Sequence, residues 1–319
     1  MEVRNVRTVM LLAALVFVGR AFAQDMAAES VTTDSQGFVA VPSAYGPAET
    51  TRRLTDSLED NPNITLLGVV NHAEAAASVD LHLSPTLLIL FGNPALGTPL
   101  MQQSRSVAID LPQKLLVWQA DNGVTYVGYN TPGYLASRHG LPHDLDQLKS
   151  IQGALSNFAS SVSAEPEDYR ELLSEEALIT RAATIETAEG SGLTTVTSTV
   201  DFETTVSNLR GALQERGFRI PFVVEHSRSA AANDFELLPT TLFIFGNPSV
   251  GTPLMQLESR AAVDLPQKML VWEDGDGTVR ITYNDPEYVL RRHDVEDMPA
   301  SLDNIAEALS AIAAASAER

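Results

Sequence analysis

Residues 72–139 and 226–293 align without a gap, and 34 of the 68 pairs are identical. Chance similarity does not reach that level over such a length. The period is 154 residues, far above the 20–50 residues of solenoid repeats. The chain is therefore two whole domains made by duplication, and whatever fold one half adopts the other must adopt as well. With 319 residues and 44% apolar content, each half can bury its own core. The most exact repetition is "FGNPALGTPLMQ" from Phe91 and "FGNPSVGTPLMQ" from Phe245.

Both copies read through the same elements. A strand opens each, "FVAVPSAY" from Phe38 and "LTTVTSTV" from Leu193. In the second copy Asp201 is a good helix N-cap, and Phe202, Val206, Leu209 and Leu213 fall on one helical face. A second strand follows from Ile64 or Phe218, then a short Ala-rich helix near His72 or His226, then a third strand from Thr86 or Thr241. The repeated motif comes next. "GNP" is turn chemistry, and Thr98 or Thr252 with the following proline predicts a helix start. Strands from Lys114 and Thr125 form a hairpin across Gly123, repeated across Gly277. Helices starting at Pro132 and Pro286 and a final helix around Ile151, Leu155 and Phe158 (Ile305, Leu309 and Ile312 in the second copy) complete each unit. The expected class is α+β: two homologous domains, each a roughly five-stranded, partly antiparallel sheet with helices packed on one face. The boundaries are a leader at 1–23, a first repeat domain at 36–160, a linker helix at 161–189 and a second repeat domain at 190–315. Two homologous domains in one chain are expected to pack as an intramolecular pseudo-dimer.

The pattern "FGNP…GTPLMQ…DLPQK…LVW…YN.P.YL..RH" resembles the family catalogued as domain of unknown function 302, in both copies. The resemblance implies a compact α+β domain, often exported in bacteria, and supplies no reaction. The first copy departs from the family pattern at "GYNTPGYL", where the second has "TYNDPEYV". An acid after that Asn comes only from Asp285, which makes the second copy the better candidate for activity.

Arg4 and Arg7 precede an apolar run from Val9 to Gly19, and "AFA" ends at Ala23. That is the layout of a secretory leader cleaved after Ala23, and the run is too short to span a bilayer. The expected location is the periplasm or the medium, with no stable membrane insertion after cleavage. The net charge of −20 argues against nucleic acid, whose backbone needs a Lys/Arg surface. The chain has no cysteine, which excludes thiol catalysis, disulfides and thiolate metal sites. No His-x-x-His or His-Glu-x-x-His spacing occurs, no phosphate loop and no Gly-x-Ser-x-Gly elbow. No metal and no cofactor is therefore expected.

Polar positions left unchanged by the duplication are the candidates for a site. The ligand-binding set is His226, Asn247, Asp264, Tyr283, Asn284 and Arg292, with His72, Asn93, Asp110, Tyr129, Asn130 and Arg138 in the first copy. Histidine at a strand end can act as base or ligand, arginine can hold an anion, and Asn and Tyr orient by hydrogen bonds. Other readings compete at single positions. Arg138–His139 and Arg292–His293 sit at a helix C-terminus, where cations complement the dipole, and Asp110 and Asp264 can form internal ion pairs. The function expected is an exported, non-enzymatic module that binds a small molecule or a protein. Its rivals are an enzyme with a His/Asp acid–base pair and a structural two-domain scaffold.

Overall fold

The computed structural model describes residues 32–33, 37–163 and 191–318. The leader and nearly all of the linker helix expected from the sequence lie outside these residues. In the first copy the order is β1 (Thr32–Thr33), β2 (Phe38–Pro42), α1 (Pro47–Glu59), β3 (Thr65–Asn71), α2 (His72–Ala77), β4 (Thr86–Gly92) and α3 (Pro94–Gln103). A 3-10 turn (Arg105–Ile109) leads into β5 (Gln113–Gln119), β6 (Thr125–Asn130), α4 (Pro132–His139) and α5 (Asp146–Ser161). The second copy repeats this as β7 (Leu193–Thr197), α6 (Phe202–Glu215), β8 (Arg219–Glu225), α7 (His226–Ala231), β9 (Thr240–Gly246) and α8 (Pro248–Leu257). It continues with a 3-10 turn (Ser259–Val263), β10 (Gln267–Glu273), β11 (Val279–Asn284), α9 (Pro286–Arg291) and α10 (Ser301–Ala317).

The sheet orders are β1-β2-β6-β5-β4-β3 and β7-β11-β10-β9-β8. Every strand pair among the described residues is antiparallel, so the five repeated strands form the same α+β sheet twice. The short β1 adds a sixth strand to the first.

The helix after the repeated turn starts earlier than the sequence suggests. Its N-caps are Asn93 and Asn247, whose side chains accept from the Ala95 and Ser249 amides at 2.9 and 3.0 Å. Thr98 and Thr252 sit inside the helix, each followed by an internal proline. The "GNP" triplet already offers an Asn cap with proline at the first helical position. That signal outcompetes the second, identical kind of start five residues later.

Alternation along the strands decides what each side chain meets. Tyr129 turns to the helix side, where its hydroxyl meets Ser156 and Gln152 of α5. Its neighbour Asn130 turns to the opposite face, along with Gly128, Trp118 and Lys114. That opposite face is covered by the other copy. Each 3-10 turn packs on the partner sheet, the first on β10 and the second on β5, and α2 meets α8 as α7 meets α3. Gln102 donates to the Glu236 carbonyl and Gln256 to the His82 carbonyl, both at 2.7 Å. With both faces covered, β5 is buried over five consecutive residues, as expected of strands read as continuous apolar runs.

Gly128 is the tightest point of this face in the first copy. A Cβ there would lie 2.3 Å from the Phe38 ring and 2.9 Å from Trp118. The second copy carries Thr282 at this position, bonded to Thr195 and Trp272 at 2.9 Å. A Gly128→Ala chain is expected to lose about 1–3 kcal/mol of stability, the usual cost of overpacking, measured by urea unfolding.

Candidate functional site

Two separate places gather the residues picked out in the sequence. The first lies between the sheets. Each 3-10 turn ends on an aspartate, Asp110 or Asp264. The strand that follows carries Lys114 or Lys268 at its second residue, the hairpin ends on Asn130 or Asn284, and the next helix ends with Arg138–His139 or is followed directly by Arg292–His293. Asp110 Oδ2 accepts from Arg138 Nη1 and meets His139 Nε2, both at 2.8 Å. Asp264 Oδ2 accepts from Arg292 Nη1 at 2.6 Å and meets His293 Nε2 at 3.0 Å. Each arginine then crosses to the other copy: Arg138 Nη2 donates to Asn284 Oδ1 and Arg292 Nη2 to Asn130 Oδ1, both at 2.8 Å. Lys268 Nζ stands 3.7 Å from Asp110 and 3.8 Å from Asp264, and Arg292 lies 3.9 Å over the Tyr134 ring.

All of these groups are buried. Burial by itself would raise both carboxyls. The charges of Arg138 and Lys268 and the His139 bond outweigh it at Asp110, and Arg292, His293 and Lys268 do the same at Asp264. Both stay well below the usual carboxylate range. Burial, reinforced by repulsion from Lys268, pushes Lys114 down to about 7, while its Nζ donates to the Asp110 and Pro112 carbonyls. His139 is lowered by burial, against the pull of Asp110.

Asp110, Asn130, Arg138, Asp264, Asn284 and Arg292 thus converge as expected, but on each other and away from solvent. Chemically this is an ion-pair network that joins the two copies. Its aspartates and histidines do meet, yet they line neither of the clefts described next. The His139 ring also contacts the Ser106 hydroxyl at 2.9 Å. That gives an Asp–His–Ser chain in the first copy; Arg260 stands at the serine's position in the second. Lys114, Lys268, His139 and His293 complete the network; their identity in both copies was the signal, but identity could not rank them above a dozen other pairs.

The second place is a pair of clefts, one per copy, of about 280 and about 650 Å³. Each is walled by one copy's "GNP..GTPLM" segment, its Leu-Pro-Gln turn and its last helix. Each is closed by the histidine of the other copy: His226 in the smaller cleft and His72 in the larger. Leu254, Met255, Leu265, Ile305 and Leu309 make the larger cleft apolar. Val250 lines it where Leu96 lines the smaller one.

A few polar groups face these apolar walls. Thr98 and Thr252 are 1% and 0% exposed, and neither hydroxyl has a hydrogen-bond partner among the described residues. The carboxamides of Gln113 and Gln267 each keep an unpartnered atom. His226 Nε2 bonds the Ala108 carbonyl at 3.2 Å across the interface. His72 faces the backbone of Ala262 and Leu265 in the same way, though its Nε2 reaches no acceptor at hydrogen-bond geometry. Burial pushes both histidines from 6.5 down to about 4, so both rings are neutral at pH 7.

The remaining candidates divide between structure and site. Asn93 and Asn247 line the clefts but commit their Oδ1 atoms to capping. Tyr129 and Tyr283 lie in the core on the strands' other face and join neither place. Among the described residues no group of three or more His, Asp or Glu is arranged to hold a metal ion, and no helix is long and apolar enough to cross a membrane.

Comparison with known proteins agrees with the repeat. A segment of 103 residues is 40% identical to two proteins named fluoride-specific ion channel FluC 1, from Brucella suis biovar 1 and Brucella abortus biovar 1. It covers 32% of this chain and 41% and 38% of theirs, so the likeness spans less than half of either relative. A crystal structure of an uncharacterized conserved DUF302 protein from Bacillus stearothermophilus is 17% identical, with a TM-score of 0.36, over 39% of this chain and 97% of that one. The family described as domain of unknown function DUF302 matches residues 39–158 and 194–316. Both matches coincide with the duplicated units, and the chain belongs to the DUF302 family, with two tandem copies of its domain.

Proposed function

We propose that this protein is an exported binding module, its copies packed as an intramolecular pseudo-dimer that holds a small ligand in the clefts between them. One observation carries the reading. An apolar cleft of about 650 Å³ is lined by Thr252, fully buried and with a hydroxyl unpartnered among the described residues, and by a histidine supplied by the other copy. Pockets of roughly 300–1,000 Å³ with apolar walls and a few convergent polar groups are the usual form of small-molecule sites. The basic start, apolar run and "AFA" end support export. The relatives named as fluoride channels share less than half their length with this chain, and ion conduction is not part of this reading. Nor is acid–base catalysis, since the His–Asp pairs lie in the buried network, away from the clefts.

The test uses N-phenyl-naphthylamine, an uncharged dye that fluoresces in apolar sites. Saturable binding is expected for the full chain. Ala308→Trp, which fills the larger cleft from α10, abolishes most of it, and Ala154→Trp in the smaller cleft leaves most of it. No saturable signal, or equal binding by the Ala308→Trp chain, overturns the reading.

A further inference from the structure

The clefts are unusual in what they lack. Among the described residues the smaller is lined by no Asp, Glu, Lys or Arg, and the larger by Arg219 as its one charged side chain, which is exposed. An ionised carboxylate, phosphate or ammonium buried there would find no compensating charge, and an uncompensated buried charge is costly. The polar side chains that line the clefts are hydroxyls and carboxamides, Thr252 and Gln267 among them in the larger and Thr98 and Gln113 in the smaller, with one imidazole in each.

The imidazole has a defined role. His226 Nε2 meets a carbonyl oxygen, which can only accept, so the ring hydrogen is on Nε2. In a neutral imidazole the other nitrogen is then an acceptor. His72 holds the equivalent place in the duplicated fold, its Nε2 likewise buried, and the equivalence of the two copies gives it the same tautomer. Each cleft therefore presents one imidazole lone pair from the opposite copy, beside a threonine hydroxyl that can donate or accept.

We propose that the clefts select uncharged, largely apolar molecules whose polar end donates a hydrogen bond, of the phenol, alcohol or secondary-amine class, with Nδ1 of His72 as acceptor in the larger cleft and Nδ1 of His226 in the smaller. This rests on the cleft-binding reading and adds the chemistry of the ligand to it. Because each histidine belongs to the other copy, neither domain alone completes a site. That gives the tandem arrangement a purpose that two independent binders would not need.

Three probes of one skeleton test it on the full chain. N-phenyl-naphthylamine is neutral and has an N–H donor, anilinonaphthalene sulfonate adds a negative charge, and phenoxynaphthalene replaces the N–H with an ether oxygen. Direct titration is used for the two fluorescent amines and competition for the ether. The amine is expected to bind at least about tenfold tighter than the sulfonate, and about three- to tenfold tighter than the ether, the span of one net hydrogen bond. His72→Leu removes the preference of amine over ether, while His72→Gln, whose carboxamide still accepts, keeps part of it. If sulfonate binds as well as amine, or ether as well as amine, in the unaltered chain, the inference is wrong although the clefts still bind. If His72→Leu weakens amine and ether equally, the assignment to His72 is wrong. Should none of the three bind, this inference and the cleft-binding reading fall together.

Discussion

Asp264→Ala is expected to lower the stability of the whole chain by about 3–5 kcal/mol, the range found when one partner of a buried ion pair is removed. Asp264 accepts from Arg292 at 2.6 Å, meets His293 at 3.0 Å and faces Lys268 at 3.8 Å. Arg292 and Lys268 are 2% and 3% exposed, so water cannot replace the carboxylate. The loss reaches both copies, because Arg292 also carries the bond to Asn130 of the first domain. For a chain of this size a fall in Tm of roughly 10 °C corresponds to that change. The double change Asp264→Leu with Arg292→Leu removes both charges and is expected to cost less than Asp264→Ala alone, since a buried pair replaced by apolar groups is often neutral. Chemical unfolding of the three chains decides. A loss below about 1 kcal/mol for Asp264→Ala, or a double variant weaker than the single one, means the network does not hold the copies together.

The second large effect is on acid. His72 and His226 are depressed from 6.5 to about 4 by burial. Between those values the unfolded chain takes up a proton at each ring and the folded chain does not. Stability therefore rises with pH through this window and is lost as pH falls from about 6.5 towards 4. That depression corresponds to about 3 kcal/mol per histidine as an upper figure. Asp110 and Asp264, held well below 3.8, stay ionised in both states over most of that range and do not offset the loss. Urea midpoints are expected to fall markedly between pH 7 and pH 4.5. In a chain carrying His72→Phe and His226→Phe the dependence flattens. An unaltered slope in that double variant assigns the acid sensitivity elsewhere.

The two effects arise from different parts of one interface, and the sequence shows them unequally. Asp110 and Asp264 each flank a Leu-Pro turn with a lysine four residues on and recur in both copies, which reads as an internal ion pair, and an ion pair is what they form. Asn130 and Tyr129 are neighbours on one strand. Strand alternation requires them to point apart, but which face is covered by helices and which by the second domain is not written in either residue. Thr98 and Thr252 read as helix caps, since threonine before proline is a good start signal. The Asn-Pro pair five residues earlier takes that role and leaves their hydroxyls buried within the clefts.

The sequence by itself determined the duplication, the order and type of nearly every described element, and the set of polar residues both copies keep. Those properties are local: hydrophobic period, turn chemistry and capping act over a few residues and repeat wherever the text repeats. Only the tertiary structure decided which of the kept residues meet. His72 belongs to one domain and closes the cleft of the other, near residues more than 170 positions away. Arg138 and Asn284 bond across 146 residues. Such contacts follow from burying two sheet faces against each other, where the apolar area removed from water sets the packing and the polar groups carried on those faces must find partners or a ligand.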